Sequence, residues 1–239
     1  MAMPLNPKAL KAIIFDLGGT LLHLSYPFFR EAFQQQYQFE LQEDDFFKAV
    51  SAATDAISRL VEENKNTSDA SRLPIFFEHL LYALPIPEDL ISDRTAYVRD
   101  FILREHHREN LWRYLLPDTL DVLQSLQARY RLAMISNSDG RAEALTIQYG
   151  LRPYLEFVID SHEVGVEKPD PEIFAIALQK LDLPPSACVY VGDVYSIDVK
   201  GARSAGMSAI LLDRRKSLRD DCIVIRSLLE LKELFLEHA

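Results

Sequence analysis

Cysteine is scarce in this chain of 239 residues: Cys188 and Cys222 are the whole complement. Two cysteines cannot build a disulfide framework, and their spacing is not that of a zinc site. Cys188 lies in an apolar, strand-like run and reads as a small buried hydrophobe. Basic residues are also in deficit, with 26 Lys and Arg against 36 Asp and Glu and a net charge of −10. Nucleic acid and anionic membranes both demand a basic face, so neither is an expected partner. An anionic substrate would then need local positive charge, from a metal or a placed lysine. No apolar run is long enough to span a bilayer. The opening MAMPLNPKALKAIIF sets prolines and lysines where a signal peptide has its apolar segment, which points to a cytoplasmic protein. Glycine is sparse and uneven, with none of the eight between Thr20 and Asp139.

That glycine-free interval has no strong strand signal and reads as a helical insertion. Its amphipathic segments predict helices over Pro27–Phe39, Glu43–Glu63, Leu73–Leu84 and Glu88–His107, with a polar loop at Asn64–Ser71. Tyr26, Phe28 and Phe29 are expected to pack within the insert rather than face a substrate. From Pro117 the pattern changes to alternating helices and strands. Helices are expected over 118–129, 141–150, 171–181 and 197–205, with one more at the end of the chain. Strands are expected over 131–136, 157–160, 188–191, 209–212 and 223–225. Alternation of this kind implies a parallel sheet with helices on both faces. Ala12-Ile13-Ile14-Phe15, apolar without alternation, is a strand covered on both faces and must join that sheet. The fold class is therefore α/β, a Rossmann-like parallel sheet with helices on both faces. Residues 1–21 and 115–239 form a discontinuous core, and residues 22–114 an inserted α-helical domain.

Several polar residues follow these strands. Asp16 ends the first, ahead of Gly18-Gly19; Ser136-Asn137 ends another; Gly192-Asp193 ends a third, with Asp198 five residues on; Lys168 precedes a helix. Open α/β sheets bind ligands at the carboxyl ends of their strands. Each residue alone has an ordinary explanation as a cap, a turn or a solvated lysine. Brought to one edge, carboxylates, a hydroxyl and a lysine make a site for a hard divalent cation such as Mg²⁺ and a phosphoryl group.

DLGGT at 16–20, ISNS at 135–138, VEKPDP at 166–171 and VGDVYSIDVKGARSAGM at 191–207 stand in this order. With them the chain resembles the haloacid dehalogenase-like (HAD) hydrolase superfamily, whose cap domain the insert is similar to. The resemblance implies that Asp16 attacks phosphorus and becomes an aspartyl-phosphate. It implies Mg²⁺ held by Asp16, Asp193 and the carbonyl of Gly18, with Asp198 in support directly or through water. Ser136 and the amide of Asn137 would bind phosphate oxygens, and Lys168 would neutralise charge on Asp16 and the transferring group. Thr20, grouped with these substrate-binding residues, would orient the loop around the nucleophile. The implied substrate is a small phosphorylated metabolite.

One position departs from the pattern of the family's phosphatases, which carry an acid–base aspartate two residues after the nucleophile. Gly18 stands there; it keeps a carbonyl for metal but cannot move a proton. Three readings follow. The leading one is a phosphatase of weak or specialised turnover, with His23 or the cap as the place for a substitute acid. The second is a hydrolase of C–P or C–halogen bonds; the former would need a cap lysine, and the insert has only Lys48 and Lys65, both read as solvated. The third is a non-catalytic scaffold that binds a ligand or partner.

Overall fold

The computed structural model describes residues 7–63, 67–215 and 219–236. They divide into two compact units: residues up to Leu22 together with Leu115 onward, and His23–Tyr114.

The first unit is built on a parallel six-stranded sheet. Its strands are β1 (Ala12–Phe15), β4 (Arg131–Ser136), β5 (Val158–Asp160), β6 (Cys188–Gly192), β7 (Ser208–Leu212) and β8 (Ile223–Ile225); β2 (His23–Leu24) and β3 (Trp112–Tyr114) belong to the other unit. The spatial order is β5-β4-β1-β6-β7-β8. The chain runs outward from β1 through β4 to β5, then crosses over to β6 and runs outward again, so the order reverses beside β1. Ligand crevices of open α/β sheets form at such a reversal.

Alternation along each strand sends neighbouring side chains to opposite faces. Ile13, Phe15, Leu132, Met134, Val189 and Val191 pack on one face with residues of the helices Thr119–Gln127, Ala142–Gln148 and Leu228–Leu236. Ala12, Ile14, Ala133, Ile135, Cys188 and Tyr190 pack on the other, against the helix Pro171–Leu181 and Val199 and Ala202 near it. All four residues of β1 are fully buried, as a strand without alternation requires. Cys188 and Cys222 are both buried free thiols.

The second unit is mainly helical. Tyr26–Tyr37 and Glu43–Glu63 stand close to their expected spans. The third helix starts earlier than expected, at Asp69, because Ser68 accepts a hydrogen bond from the Ser71 amide and caps it; Pro74 is carried inside. The fourth starts later, at Arg94. Leu90 N–H bonds back to Pro87 as a turn, and the Asp93 carboxylate then caps Ala96. It runs through a π turn at Val98–Ile102 into Leu103–Arg108.

The insert also holds strands that hydrophobic pattern did not disclose. β2 (His23–Leu24) pairs antiparallel with β3 (Trp112–Tyr114); two and three residues are too short to display a period. Of the three aromatics near the first helix, Phe29 is buried among Phe28, Phe33, Phe46 and Phe77. Tyr26 packs on Phe46 and donates to the Leu41 carbonyl, and Phe28 stacks on Phe101. All three serve packing.

Candidate active site

The carboxyl ends of β1, β4 and β6 lie side by side. Phe15 is level with Met134 on β4 and with Val191 on β6, and the Asp16 amide donates to the Val191 carbonyl at 2.9 Å. Asp16, Ser136 and Asp193 therefore leave the sheet at one edge. Beyond Asp16 the chain folds into a tight turn, in which the amides of Thr20, Leu21 and Leu22 all point to the Leu17 carbonyl. The left-handed conformation in this turn belongs to Gly19, at φ 90°, and not to Gly18. A Cβ at Gly19 would also collide with the Asp193 carboxylate, so glycine lets the two loops close on each other.

Lys168 Nζ is the hub. It donates to Asp16 Oδ1 at 2.5 Å, to Asp198 Oδ1 at 2.7 Å and to Tyr190 Oη at 2.9 Å. Asp198 lies in a π turn, Tyr195–Val199, where an α-helix beginning at Ile197 was expected. Its second oxygen accepts from the Val194 amide at 2.9 Å. Single π turns inside helices concentrate at functional sites. Carboxylate oxygens of Asp16, Asp193 and Asp198 all fall within 4.8 Å of one another.

Electrostatics follow from three carboxylates facing one ammonium in a shielded place. Burial raises the Asp16 pKa to about 7; Lys168 opposes the rise and Asp198 adds to it. Burial, then the charges on Asp16 and Asp198, push Asp193 well above the carboxylate range. Burial works against the charge on Lys168, but Asp16 and Asp198 outweigh it and hold its pKa well above the usual value. Burial likewise keeps the Tyr190 phenol protonated far above its ordinary range. Uncompensated buried charge is costly, and a divalent cation would offset it. The donors suit a hard cation, being all oxygen. Asp193 Oδ1 is shielded from solvent and has no hydrogen-bond partner among the described residues, as an oxygen set aside for a metal would be.

The remaining expected residues are placed as follows. Ser136 is buried at the end of β4, level with Asp160 of β5. Asn137 uses its side chain as a clamp: Oδ1 accepts from the Lys168 amide at 2.8 Å and Nδ2 donates to the Lys168 carbonyl at 2.9 Å. Thr20 is fully buried, and its hydroxyl has no hydrogen-bond partner among the described residues. His23 is buried in β2 with its ring edge-on to Phe47. Lys48 is exposed and paired with Asp45; Lys65 lies outside the described residues.

Sequence reading missed the Asn137 side-chain clamp and Tyr190. Nothing in the sequence signals the clamp. Tyr190 carries a faint signal, because a phenol in the buried run CVYV needs a polar partner.

The human haloacid dehalogenase-like hydrolase domain-containing protein 3 is 41% identical over 122 residues, covering 51% of this chain and 48% of that protein. Glyceraldehyde 3-phosphate phosphatase of Methanothermobacter thermautotrophicus is 37% identical over 130 residues, covering 49% of this chain and 57% of that one. These matches span about half the length of each relative. The crystal structure of a HAD phosphatase from Thermococcus onnurineus superposes with a TM-score of 0.57 at 24% identity, over 95% of this chain and 98% of that one, a likeness of fold. The haloacid dehalogenase-like hydrolase family matches residues 10–206, from ahead of β1 to beyond Asp198. A match of that extent takes in every residue gathered around Lys168, and the chain is a member of the haloacid dehalogenase-like hydrolase family.

Proposed function

We propose that the chain is a Mg²⁺-dependent phosphatase for a small phosphorylated metabolite, with turnover slowed by Gly18. The observation that carries this reading is the cluster of Asp16, half-buried Asp193 and Asp198, with Asp16 and Asp198 paired to Lys168 and one Asp193 oxygen without a partner among the described residues. Asp16, Asp193 and the Gly18 carbonyl would hold Mg²⁺, with Asp198 in support. Once bound, Mg²⁺ supplies positive charge to the phosphoryl oxygens.

The protein groups do the rest. An Asp16 oxygen attacks phosphorus as the ester oxygen departs, and water later releases phosphate from the aspartyl-phosphate. Lys168 balances charge on Asp16, and Ser136 with the Asn137 amide takes phosphoryl oxygens. The Asn137 side chain holds Lys168 in register. Gly18 offers no proton to the departing oxygen and no base to the water. General acid–base catalysis is worth about 10² to 10⁴ in rate, so substrates with good leaving groups are favoured. His23–Tyr114 would act as the cap that selects the substrate. A relative named for glyceraldehyde 3-phosphate supports a small phosphorylated metabolite as the substrate class.

A dehalogenase would not need the metal trio, and exposed Lys48 offers no shielded amine for a Schiff base. The decisive experiment is a screen of phosphorylated metabolites with and without Mg²⁺ beside Asp16→Asn, joined to burst kinetics on an aryl phosphate. The expected result is one rapid equivalent of leaving group per site followed by slow, Mg²⁺-dependent turnover. No burst, and turnover equal to that of Asp16→Asn, would make the chain a ligand-binding scaffold.

A further inference from the structure

Tyr190 is a buried phenol that the chemistry above does not use. It lies on β6 opposite Ile14 of β1, on the sheet face that also carries Ile135. Its hydroxyl stands 2.9 Å from Lys168 Nζ and 3.3 Å from the Ile135 carbonyl of β4. The direction of both bonds is determined by chemistry. An ammonium only donates and a carbonyl only accepts, so the phenol oxygen takes a proton from Lys168 and gives its own to Ile135. The side chain thus passes across β1, from β6 to β4, on the face from which Lys168 reaches Asp16.

We infer that Tyr190 is a positioning residue for the Lys168 ammonium, holding it between Asp16 and Asp198. An ammonium has three N–H bonds, and these have three acceptors here: two carboxylates and this phenol. Two anionic acceptors alone leave the amine free to swing toward either carboxylate and leave one buried N–H unsatisfied. A neutral third acceptor, itself tied to the backbone of β4, sets the rotation of the ammonium without adding charge to a site already rich in it. The Phe174 ring packs against the Tyr190 ring, 5.1 Å away centre to centre, and takes no part in the hydrogen bond between the phenol oxygen and the ammonium. The consequence for the reaction rests on the phosphatase reading; the placement of Lys168 does not.

Tyr190→Phe tests the inference, since it removes one oxygen from a ring that otherwise packs as before. Phe174→Leu serves as the control for packing in the same place. In metal-free protein labelled with ¹⁵N-lysine, the Lys168 ammonium, assigned by its loss in Lys168→Met, should exchange slowly with solvent in the wild type. It should exchange at least tenfold faster in Tyr190→Phe. With Mg²⁺ and an aryl phosphate, Tyr190→Phe should lower kcat roughly tenfold, the size of one hydrogen bond to a charged group, with KM within about twofold. Phe174→Leu should lower the melting temperature and leave both readouts near wild type. If Tyr190→Phe lowers only the melting temperature, with ammonium exchange and kcat unchanged, the phenol merely ties β6 to β4 and the inference is overturned. A wild type with no turnover on any phosphate ester would defeat the phosphatase reading, and the ammonium signal alone would then decide this one.

Discussion

Gly18 and Gly19 are adjacent and have opposite roles. Gly19 adopts φ 90° and meets Asp193, so a side chain there strains the turn and invades the site. Gly18 is outside the left-handed region, so an L-residue can replace it without that penalty. Gly18→Asp should therefore fold and, on the proposed phosphatase chemistry, supply an acid–base group. Turnover of an alkyl phosphate, whose poor leaving group needs a proton, should rise about 10- to 1000-fold, within the usual range for such a group. Steady-state assays of the two proteins check this. A folded, Mg²⁺-binding mutant with no gain would move the search for the acid to the residues of the helical unit.

At the scale of elements, the start of the fourth insert helix shows which local chemistry decides a boundary. Pro85 and Pro87 suggested a helix from Glu88, but Asp93 accepts the Ala96 amide at 2.8 Å and opens the helix at Arg94. Arg94 itself is buried and donates to the carbonyls of Leu81, Ile86 and Ile91, tying the preceding segment to the helix it begins. Loss of an N-cap side chain costs about 1 kcal/mol. Asp93→Ala should lower the unfolding free energy by about that amount, read by urea denaturation with an unchanged slope. Arg94→Met should cost more, because three carbonyls lose a buried partner at once.

For the whole molecule, the charge trio should couple stability to pH and, on the proposed function, to Mg²⁺. Burial raises the Asp16 pKa to about 7 and pushes Asp193 higher than usual too. A carboxylate whose folded pKa is raised favours folding while protonated; its contribution is intact below the ordinary carboxylate range and is lost as pH rises through the folded pKa. The metal-free protein should therefore lose stability between about pH 4 and pH 7 at this site. Asp193→Asn should raise its melting temperature at neutral pH, because an amide has no charge to bury or neutralise on folding. Mg²⁺ should restore the wild type, by about 2.7 kcal/mol at one hundred times its dissociation constant, and should do little for Asp193→Asn. Calorimetry with and without Mg²⁺ reads both effects. Equal stabilisation of the two proteins would remove Asp193 from the metal site.

The parallel sheet was legible in the sequence because its signals are local. Ala12–Phe15 is apolar on both faces, and β4, β8 and the helix Pro171–Leu181 announce their own ends through turn residues and proline. Motif spacing likewise placed Asp16, Ser136 and Asp193 at strand ends, with Asp198 five residues beyond Asp193 and Lys168 ahead of a helix. The sequence could not disclose β2 and β3, since residues 23–24 and 112–114 become strands only by pairing with each other across the length of the insert. Nor could it show that the Asn137 side chain holds Lys168, or that Tyr190 supplies the third acceptor of its ammonium. Those contacts join residues 22 to 31 positions apart, and they exist only where the sheet order brings β4 and β6 to either side of β1. Composition and periodicity specify which faces of an element are buried; the direction of a hydrogen bond between distant loops depends on where the folded backbone sets them.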